Sequence, residues 1–123
     1  MSDKNHILII DDDRQIVQGM TLRLQASGYV VCGASDGRKG LEQASASIPD
    51  AIVLDIRMPG MDGLTVLKEL KKSPRTADVP VVVVSANVVE ETRARAYGLG
   101  AKCFLEKPYN ADKLLSAVQR AMA

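Results

Sequence analysis

The chain has 123 residues and a hydrophobic content of 46%, enough for one domain with a buried core and too little for two. Lysine and arginine total 16 against 15 acidic residues, a balance that excludes binding to nucleic acid through excess positive charge. The longest apolar stretch, Val79–Val84, is too short to span a membrane, and the N-terminus lacks the apolar run of a signal peptide. We expect one cytoplasmic domain over residues 1–123 with no membrane contact.

Short apolar runs alternate with longer segments of helical periodicity. Most of the runs are continuous, as in strands that are buried on both faces of a parallel sheet. They predict strands at Ile7–Ile10, Tyr29–Ala34, Ala51–Leu54, Val81–Val84 and Lys102–Leu105.

Each run is followed by a segment whose apolar residues recur every three or four positions, which predicts a helix after every strand. The periodic segments are Ile16–Leu24, Leu41–Ile48, Leu64–Leu70, Ala94–Leu99 and Leu114–Met122. In the second segment Ile48 belongs to the apolar face, and in the fourth Ala94, Tyr97 and Leu99 do. Residues that favour helix N-termini precede four of these segments, namely Asp13, Asp36 (or Gly37), Asp62 and Asn110.

The two cysteines, Cys32 and Cys103, lie far apart in apolar segments. Neither has the neighbours of a zinc site or a redox motif. We interpret both as small buried hydrophobic residues.

The repeated strand-helix order predicts a parallel sheet with helices on both faces, and ligands of such sheets bind at the carboxyl ends of the strands. Acidic and hydrogen-bonding residues stand at these ends: Asp11–Asp13 after the first strand, Asp55 after the third, Ser85 after the fourth and Lys107 after the fifth. We expect these residues to converge at one edge of the sheet.

Carboxylates that crowd together repel one another, and Mg²⁺ relieves such repulsion through oxygen ligands. An aspartate beside that ion is suited to act as a nucleophile toward a phosphoryl group. Ser85 and Lys107 are suited to donate to the remaining phosphoryl oxygens.

Four segments resemble the receiver domains of two-component response regulators, in particular the stand-alone chemotaxis receivers. They are Ile7–Asp13, Val53–Gly63, Val83–Ala86 and Phe104–Tyr109, and the resemblance covers essentially the whole chain. It implies a flavodoxin-like, doubly wound α/β fold with a five-stranded parallel sheet, strand order 2-1-3-4-5, and five helices.

The resemblance also implies a role for each site residue. Asp55 matches the phosphoacceptor, and Mg²⁺ is expected on Asp12, Asp55 and the backbone carbonyl of Arg57, with Asp11 reaching the ion through water. Ser85 and Lys107 match the residues that contact the phosphoryl group.

Two further features are implied near the fifth strand. Phe104 matches the aromatic switch position, where a phenylalanine acts through ring packing because it has no hydroxyl group. The peptide bond before Pro108 is expected to be cis.

Arg57 and Asn87, two residues past Asp55 and Ser85, are placed to overhang the phosphoryl group, and we interpret them as a pair that tunes its lifetime.

The predicted function is that of a phosphoacceptor signalling domain rather than an enzyme. The expected donor is a sensor histidine kinase or a phosphotransfer protein, and the expected output is control of a downstream protein target. The output surface is predicted on the fourth helix, fifth strand and fifth helix, around Arg93, Tyr97, Phe104 and Tyr109. The chain is expected to be a monomer or a phosphorylation-dependent dimer.

Several alternatives stay open at this point. Asp11 and Asp13 have the spacing of a haloacid-dehalogenase-like phosphatase, in which Asp11 would be the nucleophile, although Gln15 departs from that pattern. A nucleotide-binding strand is the second alternative, but the sequence has no phosphate-binding glycine loop. A receiver that binds partners without phosphorylation is the third.

Two side-chain interpretations are also open. Ser85 has a second interpretation as the cap of the fourth helix. The charged residues of that helix are interpreted as a solvated face or, alternatively, as a partner-binding face; they are Glu90, Glu91, Arg93 and Arg95.

Overall fold

The computed structural model describes residues 5–86 and 89–123, and strands alternate with helices throughout this part of the chain. The strands are β1 (His6–Ile10), β2 (Val30–Ala34), β3 (Ala51–Asp55), β4 (Val81–Ser85) and β5 (Cys103–Glu106). The helices are α1 (Arg14–Ala26), α2 (Gly37–Ala46), α3 (Gly63–Lys72), α4 (Glu90–Gly98) and α5 (Ala111–Met122). None of these helices combines the length and hydropathy needed to cross a bilayer.

The strands form one parallel sheet in the order β2-β1-β3-β4-β5. This order confirms the doubly wound α/β fold expected from the sequence. The order reverses between β1 and β3, and the carboxyl ends of these two strands form the crevice in which ligands of this fold class bind.

Successive residues of the central strands point to opposite faces of the sheet and enter two separate cores. On one face, residues such as Ile10 and Leu54 pack with α2, α3 and α4. On the other face, residues such as Ile9 and Val53 pack with α1 and α5. Burial on both faces explains why the runs that became β1, β3 and β4 are continuously apolar.

Side chains cap four of the helices, as predicted. Asp13 accepts hydrogen bonds from the amides of Gln15 and Ile16 at 2.9 and 3.2 Å. Asp36, Asp62 and Asn110 each accept from the amide three residues further on. Helix α4 begins after Val89, which has no capping side chain. The interpretation of Ser85 as its cap is therefore wrong.

The edge strand β2 is more exposed than the sequence predicts. Val30, Cys32 and Gly33 are exposed, because an edge strand has no neighbour on one side and the flanking helices cover it incompletely. The interpretation of Cys32 as a buried residue is wrong, and Cys103, on the opposite edge strand, is only half-buried. The side-chain amide of Gln43 donates a hydrogen bond of 3.3 Å to the carbonyl of Gly33.

Two predictions of helical apolar faces are also wrong. Helix α2 ends at Ala46, and Ile48 lies beyond it with 46% of its surface exposed. Ile48 precedes Pro49, and a residue before proline is disfavoured in the helical conformation.

In α4 the residue that packs on the sheet is Ala96, whereas Ala94 and Tyr97 are exposed. The helix has too few apolar residues to define its buried face from sequence, and Tyr97 lies about 100° around the helix from Ala96. Only Leu99, of the predicted residues, packs against the core.

Candidate functional site

Strand register brings the functional residues to one edge of the sheet. Ile10 pairs with Leu54, so Asp11 and Asp55 follow at adjacent positions where the strand order reverses. Ser85 pairs with Glu106, and the amide of Lys107 donates to the carbonyl of Ser85 at 2.9 Å. The convergence predicted from the alternating pattern is therefore present.

Three carboxylates meet at this edge. One oxygen from each of Asp11, Asp12 and Asp55 lies within 4.8 Å of the others. Asp11 is 2% exposed and Asp55 is 6% exposed, while Asp12 faces solvent. Two carboxylates of the cluster are therefore buried, and the third is open to solvent.

Few donors face the two buried carboxylates. Asp11 Oδ1 accepts a hydrogen bond from the amide of Asp13 at 2.9 Å, whereas Oδ2 is buried without a hydrogen-bond partner among residues 5–86 and 89–123. Asp55 Oδ1 accepts from the amide of Arg57 at 3.3 Å and lies 3.8 Å from the ammonium nitrogen of Lys107. The nearby Lys107 ammonium is thus a single positive charge against a cluster of three carboxylates.

Burial is the main cause of the raised pKa values at this edge of the sheet. Burial raises the pKa of Asp11 from 3.8 to about 6, against the opposing effect of the Asp13 amide. Burial also raises the pKa of Asp55, which the Lys107 ammonium lowers in part. The pKa of Tyr109 is raised by burial and, to a smaller extent, by the charges of Asp11 and Asp55.

The cluster fits a hard divalent cation. Mg²⁺ takes oxygen ligands, uses one or two carboxylates and retains water. Asp12 and Asp55 offer carboxylate oxygens at the open side, and the unpartnered Oδ2 of Asp11 is an acceptor for a metal-bound water.

The loop from β3 to α3 is built around a close backbone approach. The amide of Gly63 donates to the carbonyl of Ile56 at 2.8 Å, and a Cβ atom at residue 63 would collide with the carbonyl oxygen of Asp55 and the Cα of Ile56. Gly60 has a φ of +78°, a conformation that favours glycine. Both glycines therefore shape the loop, as the sequence indicated, and hold Asp55 in position.

Comparison with known proteins assigns the family. A profile of the response regulator receiver domain matches residues 7–119. The chain belongs to this family.

Two curated response regulators illustrate the relationship. Response regulator PleD of Caulobacter vibrioides is 40% identical over 116 residues, which are 94% of this chain and 25% of PleD. The DNA-binding dual master transcriptional regulator RpaA of Synechocystis sp. is 38% identical over 113 residues, which are 92% of this chain and 47% of RpaA. The chain spans about half or less of the length of these relatives.

Solved structures show the same likeness. Chemotaxis protein CheY4 of Vibrio cholerae superposes with a TM-score of 0.92 at 30% identity, covering 96% of this chain and 98% of CheY4. A putative response regulator from Chloroflexus aurantiacus gives a TM-score of 0.92 at 29% identity, with 98% of each chain covered.

The remaining predicted residues of the receiver domain lie around the same edge. Ser85 is 1% exposed at the end of β4, and the Lys107–Pro108 peptide bond is cis. The side chain of Arg57 is exposed. Asn87, its predicted tuning partner, lies outside the described residues.

Two residues of the receiver domain, Arg93 and Tyr109, have surroundings that the sequence did not indicate. The sequence leaves Arg93 on a solvated or a partner-binding helix face, but in the structure it is half-buried and its guanidinium carbon lies 5.1 Å from the centre of the Phe104 ring. The sequence places Tyr109 on the output surface only, yet in the structure it is close enough to Asp11 and Asp55 for their charges to raise its pKa. Its position two residues after Lys107 is the one sequence signal that points to the site.

Proposed function

We propose that this receiver domain accepts a phosphoryl group on Asp55 with Mg²⁺ in a cytoplasmic two-component system, and passes the signal on by protein contact. The observation that carries the proposal is the setting of Asp55. It is a nearly buried carboxylate that has two acidic neighbours and lies 3.8 Å from the ammonium of Lys107. Such a setting suits a nucleophile that must bind metal and phosphoryl oxygens together.

In the proposed reaction a carboxylate oxygen of Asp55 forms a bond to phosphorus, while the bond from phosphorus to the histidine nitrogen of the donor breaks. The electron pair of that bond stays on the departing imidazole. Asp12, Asp55 and the carbonyl of Arg57 would hold Mg²⁺, with Asp11 binding its water. The bound ion would neutralise charge on the phosphoryl oxygens. Lys107 and the Ser85 hydroxyl would donate to these oxygens.

A sensor histidine kinase or a phosphotransfer protein is the proposed donor. A cavity of about 900 Å³ between α1 and the loop from β5 to α5 adjoins Lys107 and Ala86. Gly19 in its wall has nothing within 4 Å of an added Cβ position, so the surface of α1 is open there. This opening gives a protein donor room to approach the edge of the sheet.

The proposed output surface is formed by α4, β5 and α5. Tyr97 is 45% exposed and Val89 is 57% exposed on this side, which gives a protein target apolar surface to bind. The near-neutral charge of the chain favours a protein target over nucleic acid. A dimer that forms on phosphorylation would use the same kind of surface.

Phosphorylation by acetyl phosphate tests the proposal. The wild type should gain one phosphoryl group by intact-mass measurement in the presence of Mg²⁺ and none with excess chelator. Asp55→Asn should gain none, whereas Asp62→Asn, a change of the same kind at the α3 cap, should be labelled normally. Peptide mapping that places the label on Asp11 would support the phosphatase-like alternative and overturn the proposal.

A further inference from the structure

The contact between Arg93 and Phe104 joins the proposed output surface to the interior. The guanidinium carbon of Arg93 lies 5.1 Å from the centre of the Phe104 ring, within the range in which a cation is attracted to an aromatic face. Both side chains are half-buried, whereas Arg95, two residues along the same helix, is exposed.

The stack is not reinforced by a hydrogen bond at the buried end of the guanidinium. The Nε atom of Arg93 is buried and has no acceptor among residues 5–86 and 89–123. A buried donor without an acceptor raises the free energy of an arrangement, so this position of Arg93 is opposed by that cost and favoured by the contact with the ring.

The ring lies on the same face of the sheet as Ser85. Phe104 pairs with Val83 in the β4–β5 register. Ser85 follows Val83 by two residues, so the side chains of Ser85 and Val83 lie on the same face of β4. Phe104 and Val83 belong to the core between the sheet and α2, α3 and α4. A movement of Ser85 toward the Asp55 phosphoryl group would change the space next to the ring.

We propose that Arg93 is a positioning residue, whose guanidinium holds the Phe104 ring in its resting place and thereby opposes the phosphorylated conformation. The proposal rests on the proposed function. The ring has two places, under the guanidinium or toward Ser85, and phosphorylation favours the second. Because the stack stabilises only the first place, its strength sets how far the equilibrium lies toward rest.

The composition of the chain allows a direct measurement, because Phe104 is its only phenylalanine. Fluorine-labelled phenylalanine gives one fluorine NMR signal, which reports the place of this ring. Arg93→Gln and Arg95→Gln remove the same charge from the same helix, so the second variant controls for charge and for helix propensity. Arg93→Lys keeps the charge without the planar guanidinium group.

With Mg²⁺ alone, we expect Arg93→Gln to move the fluorine signal toward its position in the beryllofluoride complex, in which beryllofluoride stands in for the phosphoryl group. Arg95→Gln should match the wild type, and Arg93→Lys should lie between them. The apparent affinity for beryllofluoride should rise roughly threefold to tenfold in Arg93→Gln only, because more of the protein already has the competent conformation.

Two outcomes count against the idea, and they are distinguishable. A wild type that does not respond to beryllofluoride would overturn the proposed function, and this proposal with it. A wild type that responds, together with signals and affinities that are the same in Arg93→Gln and Arg95→Gln, would overturn the role of Arg93 alone.

Discussion

The ammonium nitrogen of Lys107 lies 3.8 Å from Oδ1 of Asp55, although the two residues belong to the ends of β5 and β3, which are not neighbours in the sheet. Strand β4 lies between these two strands in the sheet. The ion pair is the strongest influence that lowers the pKa of Asp55 against the effect of burial.

Lys107→Ala should slow phosphorylation by acetyl phosphate roughly 100-fold, the usual cost of losing one preorganised donor. The fold should survive, because Lys107 lies at the rim and not in the core. The pKa of Asp55 should rise further in this variant. Lys102→Ala, at an exposed position before β5, should leave the rate unchanged. Equal rates for the wild type and Lys107→Ala would contradict the role of the ion pair.

Asp12 and Asp13 are adjacent and both exposed, yet their substitution should have different effects. Asp12→Ala should weaken Mg²⁺ binding at least tenfold, since the cluster loses its solvent-facing carboxylate. Asp13→Ala should lower the free energy of unfolding by about 1 kcal/mol through loss of the α1 cap and leave Mg²⁺ affinity nearly unchanged. Metal titration and urea denaturation separate the two effects, and equal losses of affinity would refute the assignment.

Asp11 should make the metal-free protein less stable as the pH rises. Its pKa is about 6 in the folded protein and ordinarily 3.8, so between these values the folded state keeps a proton that the unfolded chain has released. The free energy of unfolding therefore falls as pH rises from about 4 to 6, by up to about 3 kcal/mol from this group. Asp55, whose pKa is also raised, adds in the same direction.

Excess Mg²⁺ should remove most of this loss, because the ion favours the ionised cluster. Thermal unfolding with and without Mg²⁺ at pH values between about 4 and 7 measures the effect. Asp11→Asn should be less sensitive to pH without metal and gain less from Mg²⁺. A pH profile of Asp11→Asn that matches the wild type would show that the cluster does not titrate in this way.

Two glycines offer a matched pair of alanine substitutions. A Cβ at residue 63 would collide with backbone atoms of Asp55 and Ile56, which cannot move aside as a side chain can. Gly63→Ala should therefore cost about 2 kcal/mol or more and slow phosphorylation, because Asp55 is displaced. Gly19→Ala in α1 has nothing within 4 Å of the new atom and should stabilise the protein by about 0.5–1 kcal/mol. Urea denaturation measures the free energy of unfolding of both variants. Changes of the same sign in the two variants would contradict this prediction.

Arg57 should govern the lifetime of the phosphorylated form without affecting metal binding. Its side chain is exposed beside Asp55, while its proposed metal ligand is the backbone carbonyl, which a substitution retains. Arg57→Ala should change the decay rate of the phosphorylated protein and leave Mg²⁺ affinity nearly constant, and we expect the same of Asn87→Ala. Decay rates that neither substitution alters would refute this tuning role.

Most of the fold could be predicted because the sequence patterns that specify its strands and helices are local. The apolar runs of the central strands are buried on both faces, and Asp13, Asp36, Asp62 and Asn110 cap helices through bonds within three residues. The convergence of Asp11, Asp55, Ser85 and Lys107 followed from strand order.

The errors arose where tertiary position decides the outcome. Cys32 is exposed because β2 is an edge strand, and Ala96 rather than Tyr97 faces the sheet because helix rotation is set by packing. The stack of Arg93 on Phe104 joins residues from a helix and a strand, and no spacing in the sequence indicates it.

The hydrogen bond from Gln43 to the carbonyl of Gly33 has a consequence for self-association. The amide of Val30 and the carbonyl of Ala34 both bond to the segment that contains β1, so the carbonyl of Gly33, an odd number of residues from each, faces the open edge of the sheet. The side chain of Gln43 occupies that acceptor at 3.3 Å. A strand from another molecule would have to displace it before pairing with β2. This bond blunts one position of the exposed edge as a template for aggregation, while Val30 and Cys32 leave the edge partly apolar.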